Sequence, residues 1–217
     1  MKVVIDGNIG SGKTTQLGLL EAKGFSVFRE PIDEWPLAEF YQDPESGIFP
    51  LHMAILRTLQ PKGTGLYERS LLSSRWVFWE WALARGLASH HATYDYFYEK
   101  HAWQPDLYIF LSKTPEECHR SIQVRGQTGD THVTLQYLQE LDELYKKLVL
   151  KVPCKVYVIN ALAPPVEIHD KILSILRNNE YSEVLVGDDK WDQVQKSGKR
   201  RGGKVLCTPF KDVCRVS

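Results

Sequence analysis

Residues 7–14 read Gly-Asn-Ile-Gly-Ser-Gly-Lys-Thr, directly after the β-branched run Val3-Val4-Ile5 and just ahead of a helical pattern over Thr14–Ala22. Few octets leave a chain so little choice of fold. Gly7 and Gly12 hold the fixed glycine positions of Gly-x-x-x-x-Gly-Lys-Thr, the phosphate-binding P-loop that joins a strand to a helix. Glycines let backbone N–H groups close around a triphosphate, and the helix N-terminus adds the positive end of its dipole. Gly7, Asn8, Ile9, Gly10, Ser11, Gly12, Lys13, Thr14 and Thr15 are therefore the candidate nucleotide-binding loop. Lys13 can reach the β- and γ-phosphates, and the Thr14 hydroxyl is placed to ligate Mg²⁺. A glycine-rich turn with no ligand is the alternative, and the strand and helix on either side argue against it.

With 217 residues, 43% of them hydrophobic, the chain can bury one substantial α/β core. Lys+Arg and Asp+Glu balance at 27 each, which gives no electrostatic case for nucleic acid or a membrane surface as partner. No apolar run approaches the ~18 residues of a membrane span. A first strand at Lys2 leaves no room for a signal or transit peptide. Cys118, Cys154, Cys207 and Cys214 form no Cys-x-x-Cys pair, so free thiols in a reducing, cytoplasmic compartment are the expectation.

Strand and helix signals alternate, as in a parallel sheet wrapped by helices. Strands are expected at Phe25–Phe28, Leu107–Leu111 and Lys155–Ile159, and helices at Leu135–Leu148 and Val166–Leu176. Thr114-Pro115-Glu116-Glu117 reads as a capping box with Pro at the first helical position. Gly65–Tyr67 is too short to read as a strand. The basic, glycine-rich stretch Lys196–Lys204 fits a solvated tail better than a surface for an acidic partner.

A P-loop alone does not separate switches, motors and kinases. The chain has no Asp-x-x-Gly and no Asn-Lys-x-Asp, which a GTPase needs, and no long apolar strand ending in the acidic pair of an ATPase. It offers instead single charged residues just after strands, where ligands gather in parallel sheets. Glu30, held extended by Pro31, is a candidate general base for a hydroxyl attacking a γ-phosphate. Glu68 could hold a Mg²⁺-bound water and Arg69 could offset charge on the transferred phosphoryl.

Together with the P-loop, Arg29-Glu30-Pro31-Ile-Asp-Glu-Trp35, Glu68-Arg69-Ser70-Leu-Leu-Ser-Ser-Arg-Trp-Val-Phe78 and Val133-Thr-Leu-Gln-Tyr-Leu-Gln-Glu-Leu141 resemble the deoxyribonucleoside kinase family. Tyr41-Gln-Asp-Pro44 and Pro50-Leu51-His52 fit the same pattern, and the resemblance runs from about residue 2 to 176. It implies an α/β fold of the P-loop nucleoside kinase kind, a three-layer sandwich with a central parallel sheet and helices on both faces. It implies one kinase domain over 1–178 with a lid near 119–130, followed by an extension over 179–217. The implied reaction is transfer of the ATP γ-phosphoryl to the 5′-hydroxyl of a deoxynucleoside, with Mg²⁺, in a homodimer.

By this resemblance Glu30 is the general base, Arg69 the arginine beside the 5′-position, and Glu68 the acidic residue associated with Mg²⁺. Trp35 and Phe78 match the walls that sandwich the base; plain core packing is the other role open to them. Tyr41 matches the partner of the sugar 3′-hydroxyl, and Asp130 falls where the family places a longer Glu for the same group. Arg120 and Arg125 lie where lid arginines clamp the phosphates, Arg120 offset by one residue, and Gln127 stands where another arginine is common.

His52 replaces a Gln that reads the base edge with one donor and one acceptor, a pairing that imidazole cannot reproduce. His52 should then make a single bond to the base, and activity should fall as pH drops through its pKa; a position on a helix surface is the other reading. Ser74 stands where cytosine- and purine-restricted members carry an acid, which tilts the expected substrates toward thymidine and deoxycytidine. Ile55 and Leu59, further along the same helix, fit either the pocket or the core. Thymidylate kinase and a non-catalytic P-loop subunit are the alternatives.

Overall fold

The structure, a computed structural model, describes residues 1–127, 130–179 and 181, and the backbone of 213–216. Five parallel strands form its centre: β1 Lys2–Asp6, β2 Val27–Phe28, β3 Gly65–Glu68, β4 Leu107–Ser112 and β5 Lys155–Asn160. A sixth, β6 Val213–Val216, pairs antiparallel with β5 at the edge, and the order across the sheet is β2-β3-β1-β4-β5-β6. Lys196–Lys204 lies outside the described residues. Among the described residues no helix is long and apolar enough to cross a membrane.

Alternation along the strands divides the core in two. Val3 and Ile5 of β1, with Leu107, Ile109 and Leu111 of β4, face helices α1 Lys13–Glu21 and α9 Pro165–Asn178 through Leu17, Leu20, Ile172 and Leu176. Val4, Tyr108 and Phe110 face the other way, toward α3 Pro44–Thr58, α6 His91–His101 and α8 Leu135–Val149. Helices on both faces of the sheet make the expected three-layer sandwich. Short α2 Leu37–Gln42 leads into α3, whose N-cap Asp43 accepts from the Ser46 N–H at 3.3 Å.

The segment after β3 is one bent helical rod: α4 Leu71–Ser73, a π-helical stretch Ser74–Trp79, and α5 Glu80–Ala84. Ser70 caps it by accepting from the Leu72 N–H at 3.3 Å. Helix α7 Pro115–Arg125 starts at the expected cap, where the Thr114 hydroxyl accepts from the Glu117 N–H, and ends at Gly126 with φ 60°. Much of the expected lid is thus the last turns of α7; Gln127, a 3₁₀ turn over Asp130–His132 and the Thr134 cap of α8 follow.

Two strand expectations need correction. The second strand is Val27–Phe28, shorter than Phe25–Phe28, because it is an edge strand paired only with β3. Gly65–Glu68, too short to read as a strand, is fully buried and lies between β2 and β1. Partners on both sides sustain a strand that its own length does not announce.

Candidate active site

The P-loop emerges from the carboxyl end of β1, at the middle of the sheet. Gly7, Gly10 and Gly12 all have positive φ, at 150°, 81° and 97°. A Cβ on Gly7 would come within 2.6 Å of the Leu111 carbonyl, and one on Gly10 within 2.5 Å of the Cys118 carbonyl, so α7 and β4 press against the loop. The Lys13 ammonium folds back onto the carbonyls of Gly7 and Asn8 at 3.0 and 2.9 Å. Burial first, and Arg69 second, lower its pKa to about 8. The Asn8 side chain points inward, donating to the Leu138 carbonyl at 2.9 Å, which ties the loop to α8. The Ser11 hydroxyl is buried with no hydrogen-bond partner among the described residues.

Beneath the loop, Asp6 is wholly buried and collects four partners. Its carboxylate accepts from the Gly7 N–H at 2.7 Å, from Tyr108 at 2.6 Å and from Tyr145 at 3.1 Å, and lies 3.6 Å from the Arg69 Nε. Arg69 also donates Nε to the Tyr145 hydroxyl at 3.2 Å and NH1 to Glu30 Oε2 at 2.5 Å. Its guanidinium covers the Phe78 ring at 5.1 Å. Burial raises the Glu30 pKa against the opposing pull of Arg69. A carboxylate whose pKa is raised by burial accepts a proton more readily than an ordinary exposed one.

Thr14 Oγ1 donates to Glu68 Oε1 at 2.8 Å. A hydroxyl and a carboxylate at the mouth of a phosphate loop form a hard-oxygen donor pair. They suit Mg²⁺, which takes only one or two protein ligands beside phosphates and water. The residues present therefore fit the ion.

One continuous cavity of about 1530 Å³ joins these groups to an apolar wall. Ile9, Gly10, Ser11, Gly12, Lys13, Thr14 and Thr15 line one end, with Glu30, Glu68 and Arg69 between the ends. Trp35, Tyr41, His52, Ile55, Leu59, Ser74 and Phe78 line the other. Leu59 and Ile55 belong to both wall and core, at 7% and 8% exposure. Trp35 is pinned by its indole N–H, which donates to the Thr58 hydroxyl at 2.9 Å. Tyr41 stacks on His132 at 4.4 Å, and burial first and Asp130 second raise its pKa.

His52 is buried, not a helix-surface residue, with Nδ1 3.2 Å from the Ser74 Oγ. Burial first, and Arg75 second, push its pKa down to about 3. Any loss of activity on its protonation is thereby moved well below neutral pH.

Two of the expected lid contacts take a different form. Arg120 does not line the cavity; it is exposed and paired with Glu117. Arg125 and Asp130, both on the cavity wall, hold each other at 2.5 Å. Lys113 enters near the loop, donating to the Ser121 hydroxyl at 2.7 Å and to the Gly10 carbonyl at 3.4 Å. The sequence reading missed Lys113, Asp6 and Tyr145. Lys113 follows β4 directly, the same strand-end signal that singled out Glu30. Asp6 ends β1 just ahead of the loop, while Tyr145 is hidden in the ordinary periodicity of α8.

A family described as deoxynucleoside kinase matches residues 3–185. A probable deoxycytidine kinase of fowlpox virus is 26% identical over 172 residues, covering 67% of this chain and 70% of its own length. A thymidine kinase of Ictalurid herpesvirus 1 is 29% identical over 196 residues, covering 79% of this chain and 84% of its own. Among solved structures, a deoxyadenosine kinase from M. mycoides superposes with a TM-score of 0.75 at 22% identity, over 83% of this chain and 100% of that one.

Proposed function

Because the chain belongs to the deoxynucleoside kinase family, we propose that it transfers the γ-phosphoryl of ATP to the 5′-hydroxyl of deoxyribonucleosides, thymidine and deoxycytidine foremost. The carrying observation is the Glu30–Arg69 pair, 2.5 Å apart between the phosphate loop and the aromatic wall of the same cavity. A nucleoside whose base lies between Trp35 and Phe78 brings its 5′-hydroxyl toward Glu30. Glu30 takes the hydroxyl proton as the oxygen attacks the γ-phosphorus; the bond to the β–γ bridging oxygen breaks and ADP leaves.

Lys13, Ser11 and the loop N–H groups hold the phosphates, and Arg69 offsets charge as the phosphoryl moves. Mg²⁺, held at Thr14 and Glu68, would neutralise charge on the phosphate oxygens. Tyr41 and Asp130 take the 3′-hydroxyl, and Arg125 the phosphates, once their mutual pairing opens. The domain spans 1–178; the family resemblance supports a homodimer, and the lack of any Cys-x-x-Cys pair supports a reducing, cytoplasmic setting.

The test is the initial rate of ADP formation with ATP, Mg²⁺ and each of the four deoxynucleosides or dTMP. Nucleoside-dependent turnover that falls about 10²–10⁴-fold in Glu30→Ala supports the reading. Turnover with dTMP alone would move the protein to the monophosphate kinases.

A further inference from the structure

His52, Ser74 and Tyr94 form a buried hydrogen-bonded chain that phosphoryl transfer itself does not require. His52 Nδ1 lies 3.2 Å from the Ser74 Oγ, which lies 3.4 Å from the Tyr94 hydroxyl. None of the three residues is more than 3% exposed. The imidazole meets Trp79 and Tyr94 edge-on, at 5.0 and 5.4 Å, and those two rings stack on each other at 4.0 Å. The Trp79 indole N–H is held in turn by His91 Nδ1 at 3.1 Å. The ring holds Nδ1 on Ser74 and His52 lines the cavity, which leaves Nε2 as the nitrogen a bound base could meet.

Neutral imidazole carries one proton on two nitrogens, and a hydroxyl both donates and accepts. The chain can therefore run in either direction. When Tyr94 donates to Ser74 and Ser74 to Nδ1, the proton sits on Nε2 and the cavity meets a donor. When Nδ1–H donates to Ser74 and Ser74 to Tyr94, Nε2 is an acceptor. Changing direction moves one exchangeable proton between the ring nitrogens through solvent and turns two hydroxyls, with no change of net charge.

The pyrimidine edges are inverse in the same sense. Cytosine offers an N4 donor where thymine offers an O4 acceptor, and the N3 positions reverse likewise.

We propose that the Tyr94–Ser74–His52 chain sets His52 to whichever tautomer the bound base requires, so that one buried imidazole serves both thymidine and deoxycytidine. This rests on the deoxynucleoside reading of the cavity. Ser74 and Tyr94 are then positioning residues that act through His52. A fixed donor or a fixed acceptor at His52 would favour one base. Two adaptable hydroxyls behind it remove that preference.

The test uses the full chain with ¹⁵N-labelled histidine, in which long-range ¹H–¹⁵N spectra report which ring nitrogen carries the proton. The His52 signals are those lost in His52→Gln. The expected result is opposite His52 tautomers in the thymidine and deoxycytidine complexes. The same tautomer in both overturns the chain's role while leaving the kinase reading standing. Failure of both nucleosides to bind overturns the kinase reading and this inference with it.

Turnover gives a second readout. Tyr94→Phe should lower kcat/KM for one pyrimidine about tenfold, the worth of roughly one hydrogen bond, and spare the other. Ser74→Ala, which empties the middle of the chain without touching the ring stack, should give the same kind of split if Tyr94→Phe does not fold. Equal losses for both bases would mark a merely structural role and overturn the proposal.

Discussion

Arg69 has a φ of 60°, a left-handed backbone that costs a residue with a Cβ about 1–2 kcal/mol. Five contacts hold it there: its N–H donates to the Ile5 carbonyl at 3.1 Å, and its side chain meets Glu30, Tyr145, Asp6 and Phe78. Strain held beside a carboxylate in the cavity supports the role proposed for Arg69. Arg69→Lys keeps the charge but loses the planar fork, so kcat should fall at least about 10²-fold with little change in KM, by steady-state kinetics.

The titrations on either side of Arg69 give a pH profile. In the proposed reaction Glu30 acts ionised, and burial raises its pKa, so kcat/KM should fall on acidification from above the ordinary carboxylate range. If Lys13 holds phosphate as proposed it must be charged, and its pKa, lowered to about 8, should give an alkaline limb there, read as a rising KM for ATP. His52→Gln should leave the acid limb in place, since His52 does not titrate near neutrality.

At the scale of elements, what the sequence made legible was whatever carries its own punctuation. The P-loop glycines, the Thr114-Pro115 cap and the apolar runs of β1, β4 and β5 each announce a boundary locally. Strand β3 does not, because its evidence lies elsewhere in the chain: Gly65 faces the Phe28 ring, where an added Cβ would sit 2.5 Å from a ring carbon. Gly65→Ala should destabilise the fold by about 1–3 kcal/mol, measured by urea denaturation, through this overpacking.

The lid shows the same limit. The sequence points to Arg125 and Asp130, which both line the cavity, but their pairing depends on how α7 ends at Gly126, which no spacing rule reports. Asp130→Ala should raise the KM for nucleoside about tenfold, while freeing Arg125. An unchanged KM would remove Asp130 from the sugar site.

Across the whole molecule, the sheet has a polar flaw on its α1–α9 side. His169 on α9 is 6% exposed, and neither ring nitrogen has a hydrogen-bond partner. Burial is the main cause of its lowered pKa. The unfolded chain therefore takes up the proton first, and stability must drop as pH falls below about 6.5 toward the folded-state value. His169→Leu should stabilise the fold by about 1–3 kcal/mol, more at pH 5 than at pH 8, in urea midpoints. The central place of β1 has a consequence for the chain as it is made. Its neighbours begin only at Gly65 and Leu107, so one edge of Val3-Val4-Ile5 stays bare until β3 leaves the ribosome and the other until β4 does. At ordinary translation rates that wait is roughly 5–20 s. For that interval the segment that will carry the phosphate loop is an open template for mispairing, and a truncated chain ending before β4 should be recovered as aggregate.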